Sequence, residues 1–464
     1  MSENSPQEAV ERALAAAKSD DCIVIADEGS AANLRWAGNS LTTNGVSRSR
    51  QLTVIAISRS GEEARVGVVS RAGVRTDQIA DVVAEAEAGA AGAAPAEDAQ
   101  PLVPAHPASG ASWDEPAAST EIGVFAEFAA ELGTAFATAA SGGRKLYGFA
   151  EHQMTSSYLG TSSGLRLRHD QPAGRLELNA KSADLSTSAW AGAGTRDFGD
   201  VDVTELEADL AQRLDWAKRP VSLPAGRYET LLPPTAVADL LIYMYWSAGA
   251  KDALDGRTVF SKAGGGTRVG EQLASLPLSL YSDPAEAGLQ CAPFVMAHAS
   301  SRESSVFDNG LPAGRTDWVS SGQLGALVQT RHTARLSGLP VTPAIDNLVL
   351  TAPDAVGSMS DMVSNTSRGL LLTCLWYIRE VDPQTLLLTG LTRDGVYLVE
   401  NGEVTGAVNN FRFNESPVAM LGRITEAGET VPTLPREWGD YFTRAAMAPV
   451  RVEGFNMSSV SQAS

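Results

Sequence analysis

Gly160-Thr161-Ser162-Ser163-Gly164 has the G-x-S-x-G spacing of a serine nucleophile elbow. That chemistry requires a strand before the motif and a helix after it. The residues that follow, 165–180, alternate apolar and polar like strands, so the motif reads as a hairpin turn and no nucleophilic serine is assigned. Gly264-Gly265-Gly266-Thr267 would let a phosphate approach the backbone, but no Lys-Ser/Thr follows as a P-loop requires, and the run reads as a surface loop. His106, His152, His169, His298 and His332 fall singly, without metal-ligand spacing. His298 and His332 could meet Glu303 and Asp308 only through the fold. Asp382, Asp394 and Glu400 read as turn and strand-end residues, not as an acid/base pair. Cys22, Cys291 and Cys374 lie far apart in apolar company, without disulfide or metal spacing, and read as small buried hydrophobes. The catalytic assignment from these residues is none.

Stepping from side chains to elements, residues 226–249 organise the chain. A short strand over 228–232 turns at Pro233-Pro234 into a helix in which Val237, Leu240, Leu241, Met244 and Ala248 recur at helical spacing. Ile242, Tyr243, Tyr245 and Trp246 fill the other side, so the helix is apolar almost all round and should be buried. Between Thr235 and Ala250 there is no His, Glu or Cys. The expectation is that this helix neither binds a metal nor moves a proton.

The 464 residues carry 36 basic and 55 acidic side chains, a net charge of −19. That balance disfavours nucleic acid and anionic membranes as partners. The amino-terminal residues lack the pattern of a signal peptide, and the runs 237–246 and 369–378 are too short to span a bilayer. A reduced, cytoplasmic protein is expected.

The spacing predicts helices over 6–18, 76–88 (with Thr76 as N-cap), 119–140 and 203–219 (with Thr204 and Glu207 at its start). Between them it predicts strands over 22–26, 33–37, 51–58, 64–69, 146–158, 165–168, 175–182 and 186–191, with turns at Glu28-Gly29, Asn44-Gly45 and Ser60-Gly61. Residues 89–116 read as an Ala/Pro-rich loop. Helix, antiparallel strands, helix therefore occurs twice. Beyond 220 come short strands over 276–281, 294–298, 325–328, 369–377, 386–391, 396–400, 404–408 and 411–413, with Asn401-Gly402 as a hairpin turn. The fold class is α+β: residues 1–220 form a domain of two similar helix–antiparallel-sheet–helix halves, and 221–464 a β-rich domain around the buried helix.

Residues 379–417 resemble the C-terminal signature of the TldD/PmbA family, with counterparts at Thr389-Gly390, 395–402 and Ala407-Val408. Upstream, 35–39 with Gly45, Ser162-Ser163-Gly164, 224–228, 260–262 and Ser282-Asp283-Pro284 follow in the family's order. The likeness spans roughly residues 8–455. In that family the TldD-type subunit is a zinc metalloprotease with HExxxH on the helix after this strand, and a further cysteine ligand near the C-terminus. Here Ile242, Tyr243, Trp246 and Ser247 stand where the motif would lie, and no cysteine follows Met420. Cys374 precedes the signature and is not its equivalent. These departures are similar to the TldE (PmbA) branch. The resemblance implies a non-catalytic subunit of a TldD–TldE heterodimer that processes unfolded peptides, without a cofactor of its own and with zinc on the TldD-like partner. The alternatives are a homodimeric peptide-binding scaffold, or an independent hydrolase using His298, His332 and Glu303. The segment 409–414 is expected to offer a strand edge to peptide through Asn409, Asn410, Arg412 and Asn414.

Overall fold

The computed structural model describes residues 5–106, 112–393 and 395–461; Asp394 lies outside them. Helix α1 (Pro6–Ala16) starts at a capping box, with Pro6 in the first turn and Ser5 and Glu8 exchanging backbone hydrogen bonds. It is followed by β1 (Asp21–Ala37), β2 (Leu41–Ser60), β3 (Glu63–Ala72) and α2 (Ile79–Gly92). The second set is α3 (Ala126–Ser141), β4 (Arg144–Thr161), β5 (Arg166–Ser182), β6 (Ser188–Thr195) and α4 (Val203–Ala217). All six strands form one antiparallel sheet in the order β3-β2-β1-β4-β5-β6. The two expected halves are thus two three-stranded meanders, joined edge to edge along β1 and β4.

Period-two alternation sorts the side chains of this sheet between two layers. Cys22, Val24 and Ala26 face α1 and α2, where Val10, Ile79 and Val83 complete one core. Ile23, Ile25, Ile55 and Ile57 face the other way, onto Phe294, Val306 and Phe307 from the later chain. In the second half Phe125, Phe128, Leu132, Ala135 and Ala139 come from one stripe along α3 and its entry turn, and meet Leu176, Leu178 and Leu210. The run Ile122–Ser141 has the length and mean hydropathy of a membrane span. Phe125, Phe128 and Leu132 are buried on the sheet, whereas its exposed positions are mostly Ala, Glu, Thr and Gly.

Several boundaries differ from expectation. No turn forms at Glu28-Gly29 or Asn44-Gly45; β1 and β2 run straight through them, because Gly29 pairs with Ser49 and Gly45 with Asn33. The reversal comes instead at Gly38 and Asn39, both at positive φ, and the Asn39 side chain ties the turn to Arg144 and Leu146 of β4. The stretches 165–168 and 175–182 belong to the single strand β5. Thr76 is not a cap but the first residue of a 3₁₀ turn leading into α2. Asp202, not Thr204, caps α4; Glu207 is buried and pairs with Arg144. Residues 89–92 belong to α2. The described part of the loop after them is strapped down, with Trp113 edge-on to Tyr158 and Tyr158 donating to the Glu115 carbonyl.

The later chain builds two more sheets. The larger runs in the order Leu375–Asp382, Leu387–Thr392, Phe411–Glu415, Val450–Val460, β8 (Gly226–Leu232), Arg368–Leu372, Val396–Glu400, Glu403–Val408 and β7 (Pro220–Val221). The other contains Ser279–Ser282, Thr316–Ser320, Leu348–Thr351 and Ala445–Met447. Helix α5 (Pro234–Trp246) lies in the core they share, against Leu280, Trp318, Leu350, Leu370 and Phe455. Asn401 and Gly402 take positive φ in the expected hairpin. Residues 294–298 and 325–328 form only isolated bridges, not strands, and 369–377 breaks at Thr373-Cys374 into two strands.

Gly67 on β3 sits directly beneath α2: a Cβ there would lie 2.0 Å from the Ala86 carbonyl oxygen. Gly67→Ala should therefore push α2 off the sheet and cost about 1–3 kcal/mol, read as a lower urea midpoint at unchanged slope. An unchanged midpoint would show that the helix does not pack this closely.

Candidate functional site

Strand β8 leads through Pro233, the N-cap, and Pro234 into α5. From Ala236 to Ile242 every residue is fully buried, and Met244 and Tyr245 nearly so. Tyr243 and Trp246 are half-buried and lie against Trp438, at ring distances of 5.6 and 5.3 Å. The Tyr245 hydroxyl donates to the Ile345 carbonyl and accepts from the Ile345 N–H. Ser247 donates to the Tyr243 carbonyl at the end of the helix.

One residue of this helix breaks the apolar pattern. Asp239 is completely buried; its Oδ1 accepts the Glu437 N–H at 2.8 Å, and its own carbonyl accepts the Trp438 indole N–H at 2.8 Å. Oδ2 has no partner among the described residues. Burial pushes this carboxyl well above its usual range. Asp239 is the one ionisable side chain within α5 besides its tyrosines. Its sequence signal is a lone acid in the centre of an otherwise apolar helix.

The segment held by Asp239 reaches outward. The Glu437 carboxylate accepts the N–H groups of Tyr377 and Ile378 and bonds to the Arg379 guanidinium. It thereby covers part of the outer edge of Leu375–Asp382, the end strand of the large sheet, where Tyr377 sits at φ 52°. Arg436 stacks 3.7 Å from the centre of Trp376 and 4.9 Å from that of Trp190, and pairs with Glu177 at 3.2 Å. Core helix, edge strand and first sheet therefore meet at residues 436–438.

The remaining candidates are dispersed. Ser162 and Ser163 occupy the β4–β5 turn, where Ser163 donates to the Val103 carbonyl and Gly164 has φ 97°. Gly264, Gly265 and Gly266 form a loop, all at positive φ. His152, buried between Thr120 and the Arg196 carbonyl, and His169, beside Gln171, are both pushed down by desolvation. His106 contacts the Gly310 carbonyl. His298 pairs with Asp27 at 2.9 Å, and Ser157 donates to the other oxygen of that carboxylate. With the acid in the middle, this trio cannot use the imidazole to activate the serine. His332 is buried, Glu303 lies beside Gly249, and Asp308 pairs with Arg331; among the described residues His298, His332 and Glu303 share no hydrogen bond. Asp382 caps the turn at Gln384 and Thr385, and Glu400 faces Arg368. Burial raises the Cys22 thiol to about 12 and that of Cys291 to about 11, which leaves neither a nucleophile.

The peptide-contact expectation loses its premise. Phe411–Glu415 is paired on both sides, by Leu387–Thr392 and by Val450–Val460, and presents no backbone edge. Asn409 accepts the Leu223 N–H, Arg412 donates to Thr389, and Asn414 accepts from Thr389 and Ser458. Asn410 is also engaged, its carbonyl accepting the Ser461 N–H.

The profile of the PmbA/TldA metallopeptidase C-terminal domain matches residues 225–459, which contain β8, α5 and the 436–438 segment. The chain belongs to that family. TldE from Thermococcus kodakarensis is similar in structure, with a TM-score of 0.78 over 97% of this chain and 99% of that one, at 15% identity. A candidate modulator of a DNA gyrase from Thermotoga maritima gives 0.76 at 17% identity, again over 97% and 99%. One from Bacteroides thetaiotaomicron gives 0.75 at 14%, over 98% of each chain. At these identities the likeness is one of fold. No curated protein matches the sequence.

Zinc does not fit the family's helix in this member. Ile242 is fully buried, Tyr243 and Trp246 pack on Trp438, Ser247 is bonded to the helix end, and Asp239 is enclosed and held by backbone. Among the described residues no three His, Cys, Asp or Glu side chains come together as metal ligands.

Two predictions follow from α5. Ile242→Asp should destabilise the fold by several kcal/mol, since it buries an unpaired charge; wild-type melting would mean that the helix is not buried. For Asp239, the folded pKa lies above the unfolded value of about 3.9. Its contribution is then complete below that value and is lost as pH rises toward the folded pKa. Asp239→Asn removes this loss, so the variant should gain melting temperature relative to wild type between acid and neutral pH. A difference independent of pH would contradict a raised pKa for Asp239.

Proposed function

We propose that this chain is the non-catalytic, TldE-like subunit of a heterodimeric zinc metallopeptidase acting on unfolded peptides. The TldD-like partner carries the HExxxH helix and the zinc, which supplies hydroxide and polarises the scissile carbonyl. This chain completes the wall of the chamber, so that only extended chains reach the metal. The observation that carries this reading is α5 itself. In a member of a metallopeptidase family, the helix expected to hold the metal is packed shut, with its one acid committed to the backbone. We place the complex in the cytoplasm; three buried cysteines that form no disulfide among the described residues accord with a reducing compartment.

The test is to co-express this chain with a homologue that carries HExxxH. The two should co-elute, and an unstructured peptide should be cut by the mixture but not by this chain alone. Replacing the motif glutamate of the homologue by Gln should abolish cleavage. Cleavage by the lone chain, or failure to form the complex, would overturn the proposal.

A further inference from the structure

The two halves of the first sheet are built alike, and one of them is incompletely filled. On the side that faces the helices, Ala26 pairs with Leu52 in the first half as Ala150 pairs with Leu176 in the second. Next along the same faces, Glu28 pairs with Arg50, and His152 with Gly174. In the second half the space above this last pair is occupied. Phe198, from the connection between β6 and α4, takes φ 68° and lays its ring against Gly174, where a Cβ would come 3.1 Å from it. The ring packs on Phe125 at 4.8 Å and on Phe128 at 5.1 Å. The polar group beneath is satisfied from within, since His152 is held by Thr120 and by the Arg196 carbonyl.

Among the described residues no aromatic side chain lines the corresponding place in the first half, and a cavity of about 630 Å³ remains there. That volume is in the range of sites for small organic ligands. Its floor is apolar, made by Ala26, Leu52, Val74 and Ile79, with Pro6 and Ala9 from the start of α1. One wall is charged. Arg50 and Glu28 pair there at 2.8 Å, with 42% and 22% of their side chains exposed. Arg75 and Asp77 pair with one another at the exposed mouth, and the Asp27 carboxylate is engaged by His298 and Ser157.

We infer that this cavity is a binding site for a free aromatic amino acid. The ligand's ring takes the place above the Glu28–Arg50 pair that Phe198 takes above His152 and Gly174, and rests on the apolar floor. Its carboxylate pairs with Arg50, whose planar guanidinium suits two-point contact, and its ammonium pairs with Glu28. The two charges of the wall select the zwitterion. A ligand with only a carboxylate sets that charge beside Glu28, and one with only an ammonium sets it beside Arg50. No residue of α5 or of 436–438 lines the cavity, so the inference is independent of the metallopeptidase reading.

Calorimetric titration of L-phenylalanine into the purified chain should show one saturable site. 3-Phenylpropionate, which lacks the ammonium, and phenethylamine, which lacks the carboxylate, should each bind about tenfold more weakly or worse. Arg50→Gln and Glu28→Gln should each weaken L-phenylalanine by about the same factor while leaving the melting temperature close to wild type, since a partly exposed ion pair adds little stability. Val74→Phe, which supplies a ring from the chain itself, should abolish binding and raise the melting temperature by filling the cavity. If that variant fails to fold, the two charge variants still decide the matter. No saturable binding to the wild type, equal binding of the three ligands, or binding that survives these substitutions would each overturn the inference. So would binding that appears only once residues 1–4 are removed, because the chain would then be its own occupant.

Discussion

A carboxyl group enclosed in an apolar helix must be satisfied by whatever backbone lies beside it. Asp239 takes the N–H of a residue 198 positions later in the chain. With the Trp438 indole N–H bonded to the Asp239 carbonyl, that hydrogen bond fixes the segment 436–438 against α5, and the side chains of the segment then reach what α5 cannot. Glu437 holds the outer edge of the large sheet, and Arg436 lies between Trp190 of the first sheet and Trp376 of the large one. The buried acid costs solvation, and that cost is what raises its pKa. Without this anchor, the junction between core helix, edge strand and first sheet would rest on aromatic contact and the Arg436–Glu177 pair.

The same packing accounts for what the chain does with its family's fold. A metal-dependent peptidase needs a helix whose polar side chains face an accessible cleft. Here the equivalent helix is turned wholly to structural use, with Tyr243 and Trp246 closed over by Trp438. The edge strand beside it is partly sealed by Glu437.

Much of this was legible in the sequence, and the exceptions have physical causes. Helix α5, the Asn401-Gly402 hairpin and the two helix–meander–helix halves follow from periodicity and turn chemistry, which are local. Asn44-Gly45 carries the same local turn signal as Asn401-Gly402, yet lies mid-strand, because Asn33 and its neighbours on β1 pair across it. Tertiary pairing overrode the dipeptide. The segment 409–414 reads as a polar strand that could offer an edge, but the place of Phe411–Glu415 inside the sheet depends on contacts with Val450–Val460 that no local pattern encodes. Asp239 was visible as a residue but not as an anchor, since its partner lies in an irregular segment that only the folded chain brings near.

The central claim is that α5, the helix we propose to carry the metal in a TldD-like partner, is closed to metal in this chain. Calorimetric titration of zinc into the purified single chain measures this without a partner or substrate. The account predicts no saturable stoichiometric binding. One zinc bound tightly per chain, lost on Asp239→Asn, would contradict it by showing that α5 opens to a ligand.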